Sequence, residues 1–403
     1  MALFPSNFSF PILTAPGNSN SGVTVDFADM FVRKELFYDG GLWACGYNND
    51  GQLGNNTTIY YSSPIQIGSL TNWKQVASGN HNAYGQTFQF SMGIQTNGTL
   101  WTWGYGPSGQ FGTGLSSGYY SSPIQVGSLN SWRQISTKGG FWLALKNDST
   151  VWGCGINYGG QLGNGTTGTQ YSSPIQVGSS ANWKAVAAGS QSTLLLSNNG
   201  SLWGCGYNTY GTLGLGTTVG ASSPVQIGSL TTWNYVSVGN LHTAAIKTDG
   251  TLWMWGYNVE GELAQNNTTG TSSPVQVGTQ TNWKQVACGN SHVLAIKTDG
   301  TLWSWGLNTS GQLGNGSVSS YSSPIQVGSL NNWKYVSTAG NASGAIKTDG
   351  TLWMWGQNTN GNLGNNAITN ISSPIQIGTK NNWKSLSPGS NFSLFISVLE
   401  LPI

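Results

Sequence analysis

The sequence predicts an all-β protein: a seven-bladed β-propeller of four-stranded antiparallel blades, with an extended N-terminal arm. Three observations predict it. Leu-Trp or Val-Trp recurs seven times, at Trp43, Trp101, Trp152, Trp203, Trp253, Trp303 and Trp353. Ser-Ser-Pro recurs seven times, at Pro64, Pro123, Pro174, Pro224, Pro274, Pro324 and Pro374, spaced 59, 51 and then 50 residues apart. A tryptophan usually followed by Lys or Arg also recurs seven times, at Trp73, Trp132, Trp183, Trp233, Trp283, Trp333 and Trp383. A fixed period near 50 places all of the repeats in one body.

Residues 1–38 come first. They hold three prolines, few charges and no repeat, and read as an arm that could anchor on the propeller or on a neighbouring chain. Residues 39–403 carry the repeats. Within the unit at 290–340, Ser291–Lys297 reads as a strand. Asp299-Gly300 follows as a two-residue hairpin turn with positive φ at both positions. Leu302-Trp303-Ser304-Trp305 is a second strand, and a polar loop through Gly311-Gln312-Leu313-Gly314 leads to a third at Pro324–Val327. A strand tolerates proline at its start, where a missing N–H matters least. Trp333-Lys334-Tyr335-Val336 reads as the fourth strand.

The grading of residue size favours a ring. The strand counted first carries small groups (Ala244-Ala245, Ala295, Gly344-Ala345), and the second and fourth carry tryptophan. On this reading, small residues crowd the axis and indoles fill the widening gaps between blades. The last strand-like stretch, 391–398, has no hairpin partner, whereas the first unit at Asp39–Trp43 lacks a leading strand. Pairing the two closes the ring and removes two exposed edges. Val32–Phe37 competes for the same slot.

These motifs resemble the regulator of chromosome condensation repeat. Trp303-Ser304-Trp305-Gly306, Asn308, Gly311-Gln312-Leu313-Gly314, Ser322-Ser323-Pro324 and Gly289-Asn290-Ser291-His292 carry the resemblance most fully, and it extends over residues 36 to about 398. It implies a seven-bladed propeller. It also raises guanine-nucleotide exchange on a small GTPase, which the founding member performs with a basic tail and an inserted β-wedge. This chain has neither.

Composition narrows the function. Only 6% of residues are charged and the net charge is +2, too weak a field to attract nucleic acid or an anionic membrane. No apolar run reaches the 18 residues of a membrane-spanning helix, and the first residues show no secretory pattern. Cys45, Cys154 and Cys205 stand where four other units have Trp103, Trp255, Trp305 and Trp355, so they read as small apolar fillers.

Nothing in the pattern calls for a cofactor, a metal or a catalytic group. His81, His242 and His292 each follow a repeat glycine and read as structural side chains bonding a neighbouring blade. Asp249, Asp299 and Asp349 read as turn residues, Glu260 and Glu262 as a solvated loop, and Lys247, Lys297 and Lys347 as a solvated ring on one face.

Two departures from the repeat mark a candidate contact patch. Unit two has eight extra residues between Gly79 and Trp101, bearing Tyr84, Phe88 and Phe90. Unit three has Trp142, the one tryptophan outside the repeat positions. The sequence therefore reads as a non-enzymatic structural or binding protein, foremost a phage virion component used in capsid decoration, fibre or tail adhesion. Its expected partners are other virion proteins or a host surface receptor, without nucleic acid or membrane insertion. The alternative is a secreted or surface binding module of inhibitor or lectin type.

Overall fold

The computed structural model describes residues 40–83 and 86–398, with the side chains of residues 80–88 outside that description. The described residues form seven four-stranded antiparallel sheets and no helix. A polar cavity of about 210 Å³ runs where the sheets converge, lined by one strand from every sheet. That cavity is the channel of a seven-bladed β-propeller.

The strand nearest the axis is the one that begins with the third landmark tryptophan. Blade six, counted outward, is Trp283–Cys288, His292–Lys297, Leu302–Gly306 and Tyr321–Gln326. The sequence reading placed the small-residue strand innermost and the Trp-Lys strand last, so blade boundaries shift by one strand. The taper still holds within the inner strand. Its tryptophan lies at one end, Gln134, Tyr235 and Tyr335 line the channel at one level, and small residues line it further along: Ser136, Ala187, Ser237, Ala287, Ser337 and Ser387.

Blade one joins both ends of the repeat region. Trp383–Pro388 and Phe392–Val398 form its inner half, and Gly40–Gly46 and Tyr61–Gln66 its outer half. Register runs unbroken from Gly40 opposite Val398 to Gly46 opposite Phe392. The competing segment Val32–Phe37, like the rest of 1–38, lies outside the described residues.

Side chains stitch the inner strands together around the axis. The Gln75 amide donates to the Ile135 carbonyl (2.9 Å) and accepts from the Ile135 N–H (3.0 Å). Gln285 does the same with Val336. One step along, the hydroxyls of Ser136, Ser237 and Ser387 accept the N–H groups of Ala188, Cys288 and Ser78 in the next blade. Inner-strand backbone that has no fifth strand to pair with is satisfied by these bonds.

A second set of contacts joins the blades further out. The indole N–H of Trp355 donates to the Gln312 carbonyl of the preceding blade (2.9 Å), as does the Ser343 hydroxyl (2.7 Å). Trp103, Trp255 and Trp305 donate in the same way to the carbonyls of Gln52, Thr212 and Glu262. Cysteine replaces tryptophan in three blades, and the carbonyl is still met. Ser393 with Cys45 donates to Asn362, and Thr193 with Cys205 donates to Gln161. In blade three the indole moves across the strand pair. Trp142 stands opposite Cys154 and donates to the Gln110 carbonyl at 2.6 Å.

The Asp-Gly hairpins differ from the expected two-residue turn. Gly250 N–H donates to Lys247 O, and Lys247 N–H donates to Thr251 O. The loop is therefore three residues closed by a glycine bulge. Only the glycine has positive φ (77° at Gly250), and none of the three repeat aspartates does. Asp249 instead accepts from the N–H and hydroxyl of Thr251, whose oxygen accepts the Trp253 indole N–H (2.9 Å).

Asparagine replaces glycine at positive φ at Asn56, Asn266 and Asn366, and two further positions break the glycine rule without that tolerance. Ser149 takes the bulge position at φ 64°, and Ala264 replaces the last glycine of Gly-Gln-Leu-Gly at φ 58°. A Cβ in the left-handed region costs roughly 1 kcal/mol. Ser149→Gly and Ala264→Gly are each expected to stabilise the fold by about 1 kcal/mol, additively because they lie in separate loops. Denaturant unfolding of the two single variants and the double variant checks this.

Candidate functional site

The loops from third to fourth strand all emerge on one face, and a buried asparagine organises most of them. Asn308 accepts the Leu313 N–H (2.9 Å), and its amide donates to Ser317 and Ser319 carbonyls. Asn48, Asn157, Asn208, Asn258 and Asn358 bond the backbone N–H five residues on in the same way. Each loop is thereby held as a rigid platform, although it has little regular structure.

The residue before Leu, or before Phe111 in blade two, reaches the next blade in several loops. The Gln110 amide donates to Gly140 O (3.0 Å), and the Thr212 hydroxyl donates to Leu241 O (3.0 Å). In blade five this residue is Glu262. Its side chain is fully buried rather than solvated, and its Oε1 has no hydrogen-bond partner. Burial pushes its carboxyl up to about 7. The expectation of a solvated loop is therefore wrong at Glu262, because this position points into the seam between blades.

The channel mouth on the same face holds a group that the sequence reading missed. Lys138 takes the hairpin position held by Gly189, Gly239, Gly289 and Gly389 in other blades, and it lines the channel. Its ammonium donates to the carbonyls of Val238 (3.1 Å) and Cys288, reaching from blade three to blades five and six. Burial lowers its pKa to about 8. A charged residue in a stretch otherwise made of Ser, Thr, Ala and Gly was the signal in the sequence.

His242 and His292 begin the second strands of blades five and six, both buried. Burial, and then the Lys138 charge, lower both to about 3, so the rings stay neutral. His292 Nε2 meets the Ser343 hydroxyl of the next blade at 2.9 Å. His242 faces a blade with Val293 at the corresponding position, and neither of its nitrogens is bonded. His81 belongs to a strand of blade two, away from both. Among the described residues no three His, Cys, Asp or Glu gather as a metal site.

The predicted contact residues divide. Phe90 is fully buried in the core between blades two and three, with Met92 and Trp132. It fills the slot taken by His242, His292 and Phe392 elsewhere, each opposite a positive-φ glycine. Trp142 is also fully buried, as the displaced interblade indole. Neither can touch a partner, because both are consumed by packing. Tyr84 lies outside the described residues. Phe88 lies in the strand Gln86–Gln95, and its side chain is outside the description. The insertion lengthens the hairpin of Trp73–Ala83 with Gln86–Gln95, and it rises on the long-loop face beside Gln52, whose amide donates to Gln89.

Exposed aromatics cluster next to this hairpin. Tyr105 and Tyr119 stack at 4.4 Å with an interplanar angle of 13°, and Tyr119 is 65% exposed. Tyr47 and Tyr60 meet at 4.8 Å and 54°. The turn carrying Asp50 joins the two pairs, since Gly51 packs against the Ser121 backbone of blade two.

The repeat lysines lie on the opposite face and are not a solvated ring. Lys297 is nearly buried, its ammonium 3.6 Å from the Trp303 ring centre and 4.8 Å from that of Trp283. Lys146, Lys247 and Lys347 sit in the same way over their own tryptophan pairs.

A profile of the regulator of chromosome condensation (RCC1) repeat matches residues 39–84, 148–196, 199–246, 249–296, 299–346 and 349–396. The chain is similar to the ultraviolet-B receptor UVR8 of Arabidopsis thaliana, 33% identical over 174 residues, or 42% of this chain and 38% of the receptor. It is also similar to the probable E3 ubiquitin-protein ligase HERC6 of Homo sapiens, 34% identical over 178 residues, or 43% of this chain and 17% of the ligase. The chain thus matches well under half the length of these relatives. Among solved structures it resembles Prp20p from Saccharomyces cerevisiae, described with its binding to Gsp1p and histones. That match has a TM-score of 0.78 at 17% identity over 90% of this chain and 92% of that one. Human WBSCR16 gives 0.77 at 19% identity over 89% and 98%. These structures share the fold.

Two substitutions test the buried polar groups. A carboxyl raised in the fold keeps its proton after the unfolded chain has lost its own, so stability falls as pH rises from about 4.5 to 7. Glu262→Gln is expected to equal the parent at pH 4 and to exceed it by about 1–3 kcal/mol at pH 8, read from melting temperatures across that range. Val293→Thr supplies His242 with the missing hydroxyl and is expected to stabilise by about 1 kcal/mol in denaturant unfolding.

Proposed function

The chain belongs to the regulator of chromosome condensation repeat family, whose propellers serve binding and regulation, and we propose that it is a non-enzymatic binding scaffold. Its partner is a macromolecule that docks on the long-loop face at blades two and one. The observation that carries this reading is where the repeat is broken. The family profile leaves residues 85–147 unmatched between its segments. That stretch includes most of the lengthened hairpin strand as well as Tyr105 and Tyr119. The other blades keep to the repeat and supply rigidity. A preorganised, weakly charged surface suits a partner recognised by shape and aromatic contact more than by electrostatic steering.

The finer reading is a virion component, with other particle proteins or a host surface receptor as partner. It rests on composition: 6% charged residues and a surface rich in Asn, Ser, Thr and Gly. Mass spectrometry of purified particles tests it, and absence of the chain from every particle fraction removes it.

The binding face is tested by shortening the hairpin. Asn80 pairs with Gln89, so replacing residues 81–88 with Asn-Gly leaves a two-residue hairpin turn in register. Partners that co-purify with the full chain from its source are identified and then titrated. The shortened chain is expected to bind at least about tenfold more weakly with an unchanged melting temperature. Leu230→Asp and Leu330→Asp on the opposite face are expected to bind as the parent does. Full affinity in the shortened chain, with loss in the leucine variants, would reverse the assignment of the face.

A further inference from the structure

The lysine sites of the opposite face show what this chain does with paired aromatic rings. At three of them, two edge-to-face tryptophans and a nearby aspartate hold an ammonium. Trp283 and Trp303 meet at 6.2 Å, Lys297 lies over both, and the Asp299 charge acts on it. The long-loop face carries two ring pairs and an aspartate at the seam of blades one and two, one pair stacked and one tilted, with no lysine over them among the described residues. Tyr47 and Tyr60 form one ring pair, and Tyr105 and Tyr119 the other. Asp50 lies on the turn that packs against blade two.

Charge argues for what belongs there. Asp50 is half-buried, and burial raises its pKa with no basic neighbour among the described residues to offset it. Its charge reaches both ring pairs, because it contributes, after burial and the tyrosine partner, to raising the phenols of Tyr60 and Tyr105. A carboxylate near aromatic rings makes a poor site for an anion and a good one for a cation. A sugar would also stack on exposed tyrosine. It would not relieve the carboxylate, so the cation is favoured.

We propose that Tyr47, Tyr60, Tyr105, Tyr119 and Asp50 form a subsite for an organic cation, supplied as a lysine, methylated lysine or arginine side chain of the docked partner. The proposal rests on the reading of the long-loop face as the docking face for its biological context, whereas the site itself is testable without any partner.

The probes are the N-acetyl methylamides of lysine, trimethyllysine and arginine, with norleucine as the neutral isostere and methyl glucoside as the sugar control. Tyrosine ring signals are followed by NMR in the full chain. The cationic probes are expected to shift the Tyr105 and Tyr119 signals with millimolar affinity, and the neutral probes are not. The ranking of the three cations identifies the source of the charge. Asp50→Asn and Tyr119→Ala are each expected to weaken binding about fivefold, with melting temperatures unchanged. Equal binding of lysine and norleucine probes, preference for the glucoside, or full affinity in Asp50→Asn would overturn the proposal. These outcomes are independent of the hairpin experiment: a failed titration leaves the docking face standing, and a failed hairpin test leaves the cation site standing.

Discussion

The structure depends on one carbonyl per blade. The residue before leucine in each long loop, or before Phe111 in blade two, presents its C=O to the next blade, which meets it with a side-chain donor. Left unmet in the dry seam, that oxygen would cost about 1–3 kcal/mol, and the cost would recur seven times. The sequence varies the donor and keeps the bond. Indole serves in four blades from the third strand and in one from the second, while hydroxyl and thiol serve together in two. The same contact fixes the loop that carries the carbonyl. A packing constraint within the ring thus holds the outer face in shape, and that face becomes a platform on which variation is tolerated.

The number of blades, their strand content and the closure of the ring by both ends were legible in the sequence because the signal repeats seven times. The order of strands within a blade was not. Tryptophan was read as a marker of the periphery, but Trp333 lies at the end of its strand, where the sheet has already left the axis, and Ser337 faces the channel instead. Residue size alone does not tell a strand's end from its middle.

The candidate site was less legible. The eight extra residues marked the hairpin that the structure lengthens in blade two. Phe90 and Trp142 stood out by their chemistry and proved to be core, each filling a slot that other blades fill with a different residue. A single departure from a repeat is often a compensation for a second one nearby. Trp142 answers Cys154 opposite it, and the two had to be read together. Lys138 went unnoticed because its neighbours are bland, and its position in the channel depends on a curvature that no local pattern encodes. The tyrosine pairs join residues 13–14 apart along the chain, a separation set by the long loops, of which only the one in blade one is organised by a buried asparagine, Asn48.

The shared blade has a consequence for how the chain acquires its structure. Trp43 donates its indole N–H to Ser397, 354 residues away. During synthesis Gly40–Gly46 emerges with one neighbour, Tyr61–Gln66, and its other edge stays open until Phe392–Val398 has been made. Contacts so distant in sequence slow folding and leave an unpaired strand edge available to other molecules in the meantime. Once the ring is shut, neither terminal half-blade can peel away without opening the sheet at its middle. Slow assembly and resistance to unravelling are therefore two results of the same seam.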